Sequence, residues 1–101
     1  MKVYAMSANQ KIKTAISKVV RDRIHSGKIL DVVVNPETNT DGERVIYVYV
    51  IFDNEKNQID AKETIGITRH VRDSLSKLGE DSFPVFYYVA KSEAGNIAEA
   101  K

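Results

Sequence analysis

The chain contains no cysteine, which removes disulfide frameworks and thiolate metal sites and fits a reducing, cytoplasmic setting. It has only two histidines, His25 and His70, and neither has an HxxxH, HxH or carboxylate-rich neighbourhood on its own element. A zinc site would have to be assembled from carboxylates on distant segments. No apolar run exceeds eight residues, against the roughly 20 that a membrane helix needs. The opening MKVYAMSANQKIKTAISK lacks the continuous apolar core of a signal peptide. P-loop, GxGxxG and nucleophile-elbow patterns are missing, and the acidic loop NPETNTDGE lacks the order of a calcium-binding loop. Ser26, Ser74, Ser76, Ser82 and Ser92 have no identifiable base partner. No cofactor, metal or catalytic residue is therefore expected, and a non-enzymatic role is favoured.

What is present suits one small folded unit. The 101 residues predict a single α+β domain spanning 1–101, able to bury roughly 60–65% of its unfolded surface, with 91–101 as a frayed tail. The net charge of +1 conceals a division. Residues 11–28 carry six Lys and Arg against one Asp, and residues 31–63 carry eight Asp and Glu against three Lys and Arg. Such blocks steer partners, but the near-neutral total argues against bulk nucleic-acid or membrane binding.

Apolar residues at three- and four-residue spacing (Ile12, Ala15, Ile16, Val19, Val20, Ile24) predict a helix over 8–25, capped by Ser7 with Gln10 three positions on. Gly27 is expected at the left-handed position after its end, with Arg21, Arg23 and His25 complementing the negative helix terminus. Arg23 falls inside the apolar stripe; its stem is expected to pack while the guanidinium reaches a carboxylate, with Asp31 nearest in sequence, or leaves at the helix end. KILDVVVN predicts a strand over 28–35, with Leu30, Val32 and Val34 on one face and Ile29, Asp31 and Val33 on the other. The turn-forming stretch 35–43 then leads to a strand at 44–52, paired antiparallel.

Asp60 with Glu63 marks the start of a second helix. Its stripe runs Ala61, Thr64, Ile65, Thr68, Val71, Leu75 and Leu78, with Gly66 on the solvent side and Gly79 at the end. FPVFYYVA, 83–90, is the last strand, parallel to 44–52 through a right-handed crossover, with Pro84 suited to an edge. Residues 2–6 are a candidate extra strand, which would complete a ferredoxin-like order. The expected architecture is a two-layer sandwich: two helices on one face of a three- or four-stranded mixed sheet, in the order (β)αββαβ.

The helix–strand–strand–helix–strand order, over residues 8–90, resembles the KH-like arrangement of small ribosome-associated RNA-binding proteins in topology. That resemblance implies RNA binding. The GxxG clamp is absent, since the glycines in SGK, DGE and LGE stand singly, and no family is assigned.

The functional question lies in VIYVYVIF, 45–52. Alternation sends Ile46, Val48, Val50 and Phe52 to one face and Val45, Tyr47, Tyr49 and Ile51 to the other. Two helices cover one face only. The final strand adds either Phe86 and Tyr88 or Phe83, Val85 and Tyr87 to the bare side. An apolar, aromatic face of that extent predicts an interface, formed by Val45, Tyr47, Tyr49 and Ile51 with a second copy of the chain or with another protein. The alternative is single-stranded RNA stacked on Tyr47 and Tyr49, with Lys11, Lys18 and Arg21 holding phosphates. No membrane partner is expected.

Overall fold

The computed structural model describes residues 8–94. Its elements are α1 (Ala8–Arg23), β1 (Lys28–Thr38), β2 (Arg44–Asp53), α2 (Ala61–Thr64), α3 (Ile67–Ser76), β3 (Phe83–Ala90) and a 3₁₀ turn at Lys91–Glu93. The strands form one mixed sheet in the order β1-β2-β3, antiparallel between β1 and β2 and parallel between β2 and β3. The core joins Ile12, Ile16 and Val20 of α1, Ile24 just after it, and Ile67, Val71 and Leu75 of α3 to Ile46, Val48, Val50 and Phe52 of β2. The helices thus occupy one face of the sheet, and the α+β two-layer architecture is as expected.

The candidate strand at 2–6 and the Ser7 cap lie outside the described residues. The central slot that a ferredoxin-like sheet reserves for a first strand is filled, because β2 and β3 pair directly from Val45 with Phe83 to Phe52 with Ala90.

Several local expectations are corrected. Helix α1 ends at Arg23, although the Ile24 amide still donates to the Val20 carbonyl at 2.9 Å. Gly27 is not among the glycines with positive φ. Close packing requires it instead: a Cβ there would stand 3.2 Å from Asn54 Nδ2 and 3.3 Å from both Ile59 Cδ1 and Phe52 Cδ2. Strand β1 runs on to Thr38, and Pro36 is tolerated within it because β1 is an edge. A bulge between Ile29 and Asp31 leaves Leu30 unpaired and inverts the face of Ile29. Ile29 and Val32 both enter the core, while Leu30 is exposed.

The second helix is broken. Asp60 caps α2 by accepting the Lys62 amide at 2.9 Å, as its sequence predicts. Ile65 then adopts an extended backbone and Gly66 a left-handed one, φ 84°, before α3 begins. The break shifts the apolar phase: Ile67 is buried and Ile65 is 70% exposed, the reverse of a continuous helix. Leu78, expected in the stripe, is also exposed. Arg23 meets this break. It is half-buried, and its Nη2 donates to the Ile65 carbonyl at 3.2 Å, so its partner is a backbone oxygen rather than Asp31. Asp31 instead lies 3.8 Å from Lys13 Nζ. Gly79, φ 78°, ends α3 in a Schellman pair, with Glu80 N donating to Leu75 O and Gly79 N to Ser76 O, both at 2.9 Å.

Candidate functional site

Strand β2 is central and two-faced. Ile46, Val48, Val50 and Phe52 are buried, whereas Val45, Tyr47, Tyr49 and Ile51 are half-buried on the side away from the helices. Pairing register extends this open face across the sheet in four rows. These are Glu37–Val45–Phe83, Asn35–Tyr47–Val85, Val33–Tyr49–Tyr87 and Asp31–Ile51–Val89. The β2 and β3 columns are wholly apolar or aromatic, while the β1 column is polar except for Val33.

The aromatic rings form a connected group. Tyr87 stacks on Tyr49 with ring centroids 5.2 Å apart and planes 17° apart, and on Tyr47 at 6.4 Å and 29°. Offset stacking of this kind contributes about 0.5–1.5 kcal/mol beyond area burial and holds the rings as a preformed surface. Tyr87 is 45% exposed and Phe83 48%. Arg72 of α3 lies over the Phe83 ring on the edge strand β3, its Cζ 5.4 Å from the centroid. On the opposite edge, the Asn35 amide donates to the Glu37 carboxylate at 3.3 Å.

Of the two sets offered by the last strand, Phe83, Val85 and Tyr87 join the tyrosines. Phe86 and Tyr88 pack against the core and stack on each other at 6.2 Å. Burial pushes the Tyr88 phenol up to about 12. Val33 and Val89 complete the face and were not among the predicted site residues. The parallel crossover register identifies Val89 once Tyr49 is set beside Tyr87.

The basic residues of α1 stand elsewhere. Lys11 and Lys18 are exposed on the helix layer, across the sheet from the tyrosines. Arg21 donates from Nη1 to the Ile29 carbonyl at 3.0 Å, bracing the bulged end of β1. Tyr47 and Tyr49 are thus brought together, while Lys11, Lys18 and Arg21 are not brought to their face.

A second polar cluster joins the layers at the far end of β2. The Glu63 carboxylate accepts the amides of His25 and Ser26, both at 3.0 Å. Ser26 Oγ accepts the Asp60 amide at 3.0 Å, and Asn54 Nδ2 donates to the carbonyls of Ser26 and Gln58 at 2.9 and 2.8 Å. This wiring satisfies loop backbone and ties the two helices to the end of β2. Among the described residues no group of three or more His, Asp or Glu is placed to hold a metal ion, and no helix is long and apolar enough to cross a membrane. Comparison with protein-family models, with curated proteins and with solved structures gave no match. The small α+β fold with its exposed aromatic patch is a surface usable for interaction.

Proposed function

We propose that the chain is a small protein–protein interaction module, an assembly subunit that forms a homodimer through the open sheet face. The observation that carries this reading is the contiguous grid of Val45, Tyr47, Tyr49, Ile51, Phe83, Val85, Tyr87 and Val89, which no described element covers. A second copy supplies a matching flat apolar face, and tyrosines suit such a contact because the ring packs while the hydroxyl reaches water at the rim. Size sets the affinity range. From strand rise and spacing, the four rows across all three strands span about 20 Å by about 14 Å, roughly 300 Å² in plan, well below the roughly 800 Å² per partner of a standard interface. A small face of this kind suits a concentration-dependent dimer, to be sought across the micromolar range.

Light scattering coupled to size exclusion, over a concentration series and after nuclease treatment, tests it. The expected result is a mass rising from 11.3 kDa towards twice that value. A mass that stays at 11.3 kDa at high micromolar concentration overturns the homodimer. Salt-sensitive binding of short single-stranded RNA, lost in a Tyr47→Ala, Tyr49→Ala double variant, would replace it with the nucleic-acid reading. Against that reading stand Glu37 at the end of the Val45 row and the placement of Lys11 and Lys18 on the helix layer.

A further inference from the structure

We infer that the two copies meet about a twofold axis parallel to the strands, running between β2 and β3, and that Glu37 of each copy pairs with Arg72 of the other. This rests on reading the open face as a homodimer surface, and it fixes which residues set the register of that dimer.

One row of the sheet is charged at both ends. Glu37, Val45 and Phe83 lie side by side on β1, β2 and β3, and Arg72 lies over the Phe83 ring at the outer edge of β3. The row is therefore a bar with an apolar middle, an anion at one end and a cation at the other. Among the described residues neither charge is neutralised. Glu37 meets only the Asn35 amide, and Arg72 has no ion-pair partner among the described residues. Such a bar is complementary to itself when reversed end for end.

With the strands of the two sheets aligned, two families of twofold axis lay one open face on another. An axis across the strands sets β1 on β1 with its direction reversed. Asp31 of one copy, already paired with its own Lys13, then approaches Glu37 of the other, and Arg72 is left without a counter-charge. An axis along the strands keeps every row in place and exchanges its ends. Centred between β2 and β3, it sets Val45 over Phe83, Tyr47 over Val85 and Tyr49 over Tyr87. The β1 column then falls one strand spacing, about 4.8 Å, beyond the β3 column of the other copy, on the open side of the edge strand whose Phe83 ring Arg72 covers. Face-to-face sheets lie about 10 Å apart with strands aligned to within about 30°, a gap that a glutamate and an arginine reaching from opposite sides span. Two equivalent Glu37–Arg72 pairs then flank the tyrosines, whereas the other orientation leaves both of these charges without a partner.

The test is a charge swap read by the dimer dissociation constant at low salt. Circular dichroism confirms folding, which is expected to persist because both side chains are exposed. Glu37→Arg alone and Arg72→Glu alone should each weaken the dimer by about tenfold, and the double variant should return to within about threefold of the wild type. Asp31→Lys should change the constant by less than about threefold, since an axis along the strands sets no charge opposite it, whereas an axis across the strands predicts tightening. A wild-type dimer whose affinity ignores both single swaps, or whose double variant is weaker than either single, overturns the orientation and leaves the dimer face standing. A wild-type chain that never dimerises overturns the underlying reading along with it.

Discussion

Two glycines show how differently one residue type is required. At Gly66 the demand is on the backbone: φ is 84°, and an added Cβ would meet its neighbours at ordinary distances of 3.7–3.8 Å. Gly66→Ala should therefore cost about 1–2 kcal/mol, the penalty of a left-handed alanine. At Gly27 the demand is on space, and the Cβ of Gly27→Ala must displace Phe52, Ile59 or Asn54 at a cost of about 1–3 kcal/mol. Denaturant unfolding of the two variants checks both figures. Repacking around the alanine should be confined to the Gly27 variant, where chemical shifts of Phe52 and Ile59 should move. Glu63 gives a pH signature. Hydrogen bonding by the Ser26 side chain, then by the Ser26 and His25 amides, outweighs partial burial and holds its carboxyl below the ordinary 4.5. A carboxylate with a depressed folded pKa contributes stability in full above its unfolded value and loses it as pH falls through the folded one. Unfolding midpoints between pH 7 and pH 2 should accordingly fall more steeply below about 4.5 in the wild type than in Glu63→Gln. Parallel curves for the two proteins would show that the carboxylate does not hold the Ser26 loop.

The broken second helix gives the sharpest contrast at the scale of an element. A continuous helix buries Ile65; the break at Ile65–Gly66 buries Ile67 instead. Ile67→Ala should lose about 2–5 kcal/mol and Ile65→Ala less than about 0.5 kcal/mol, measured by thermal or denaturant melts. The reverse order would restore the unbroken helix. The strands, by contrast, are legible in the sequence. Alternation in VIYVYVIF and its turn-forming flanks place β2 within a residue, and FPVFYYVA coincides with β3. The division of β2 into a core face and an open face is legible for the same reason, since a period of two leaves only two faces. Helix breaks, bulges and close approaches are not legible because their causes lie far along the chain. The Ile65 carbonyl is held by Arg23, 42 residues away, and Gly27 is constrained by Phe52 and Ile59. Leu30 is looped out at a bulge whose register depends on β2 and whose adjoining carbonyl, Ile29, is braced by Arg21. The choice between Phe86 with Tyr88 and Phe83 with Tyr87 likewise awaited the parallel register.

At the scale of the whole molecule, one strand serves two purposes one residue apart, and this separates folding from association. Val48 is fully buried between the helices and the sheet, while Tyr49 lies on the open face against Tyr87. Truncating Val48 removes core packing. Val48→Ala should lower stability by about 2–3 kcal/mol at any protein concentration. A charge at position 49 acts on the other side of the sheet: Tyr49→Glu forfeits one ring stack, about 0.5–1.5 kcal/mol, and sets two carboxylates near the twofold axis of a dimer. Association that favours the folded state makes the melting temperature rise with concentration. The wild type should show that rise across the micromolar range, Val48→Ala should retain it from a lower starting point, and Tyr49→Glu should lose it while keeping a cooperative transition. Calorimetry on dilution series of the three proteins makes the comparison. A concentration-independent wild type, or a Tyr49→Glu variant that still shifts with concentration, would show that the tyrosine face is not where copies meet. If instead Tyr49→Glu unfolds outright, the ring belongs to the core, contrary to its half-buried place on the far side of the sheet from the helices.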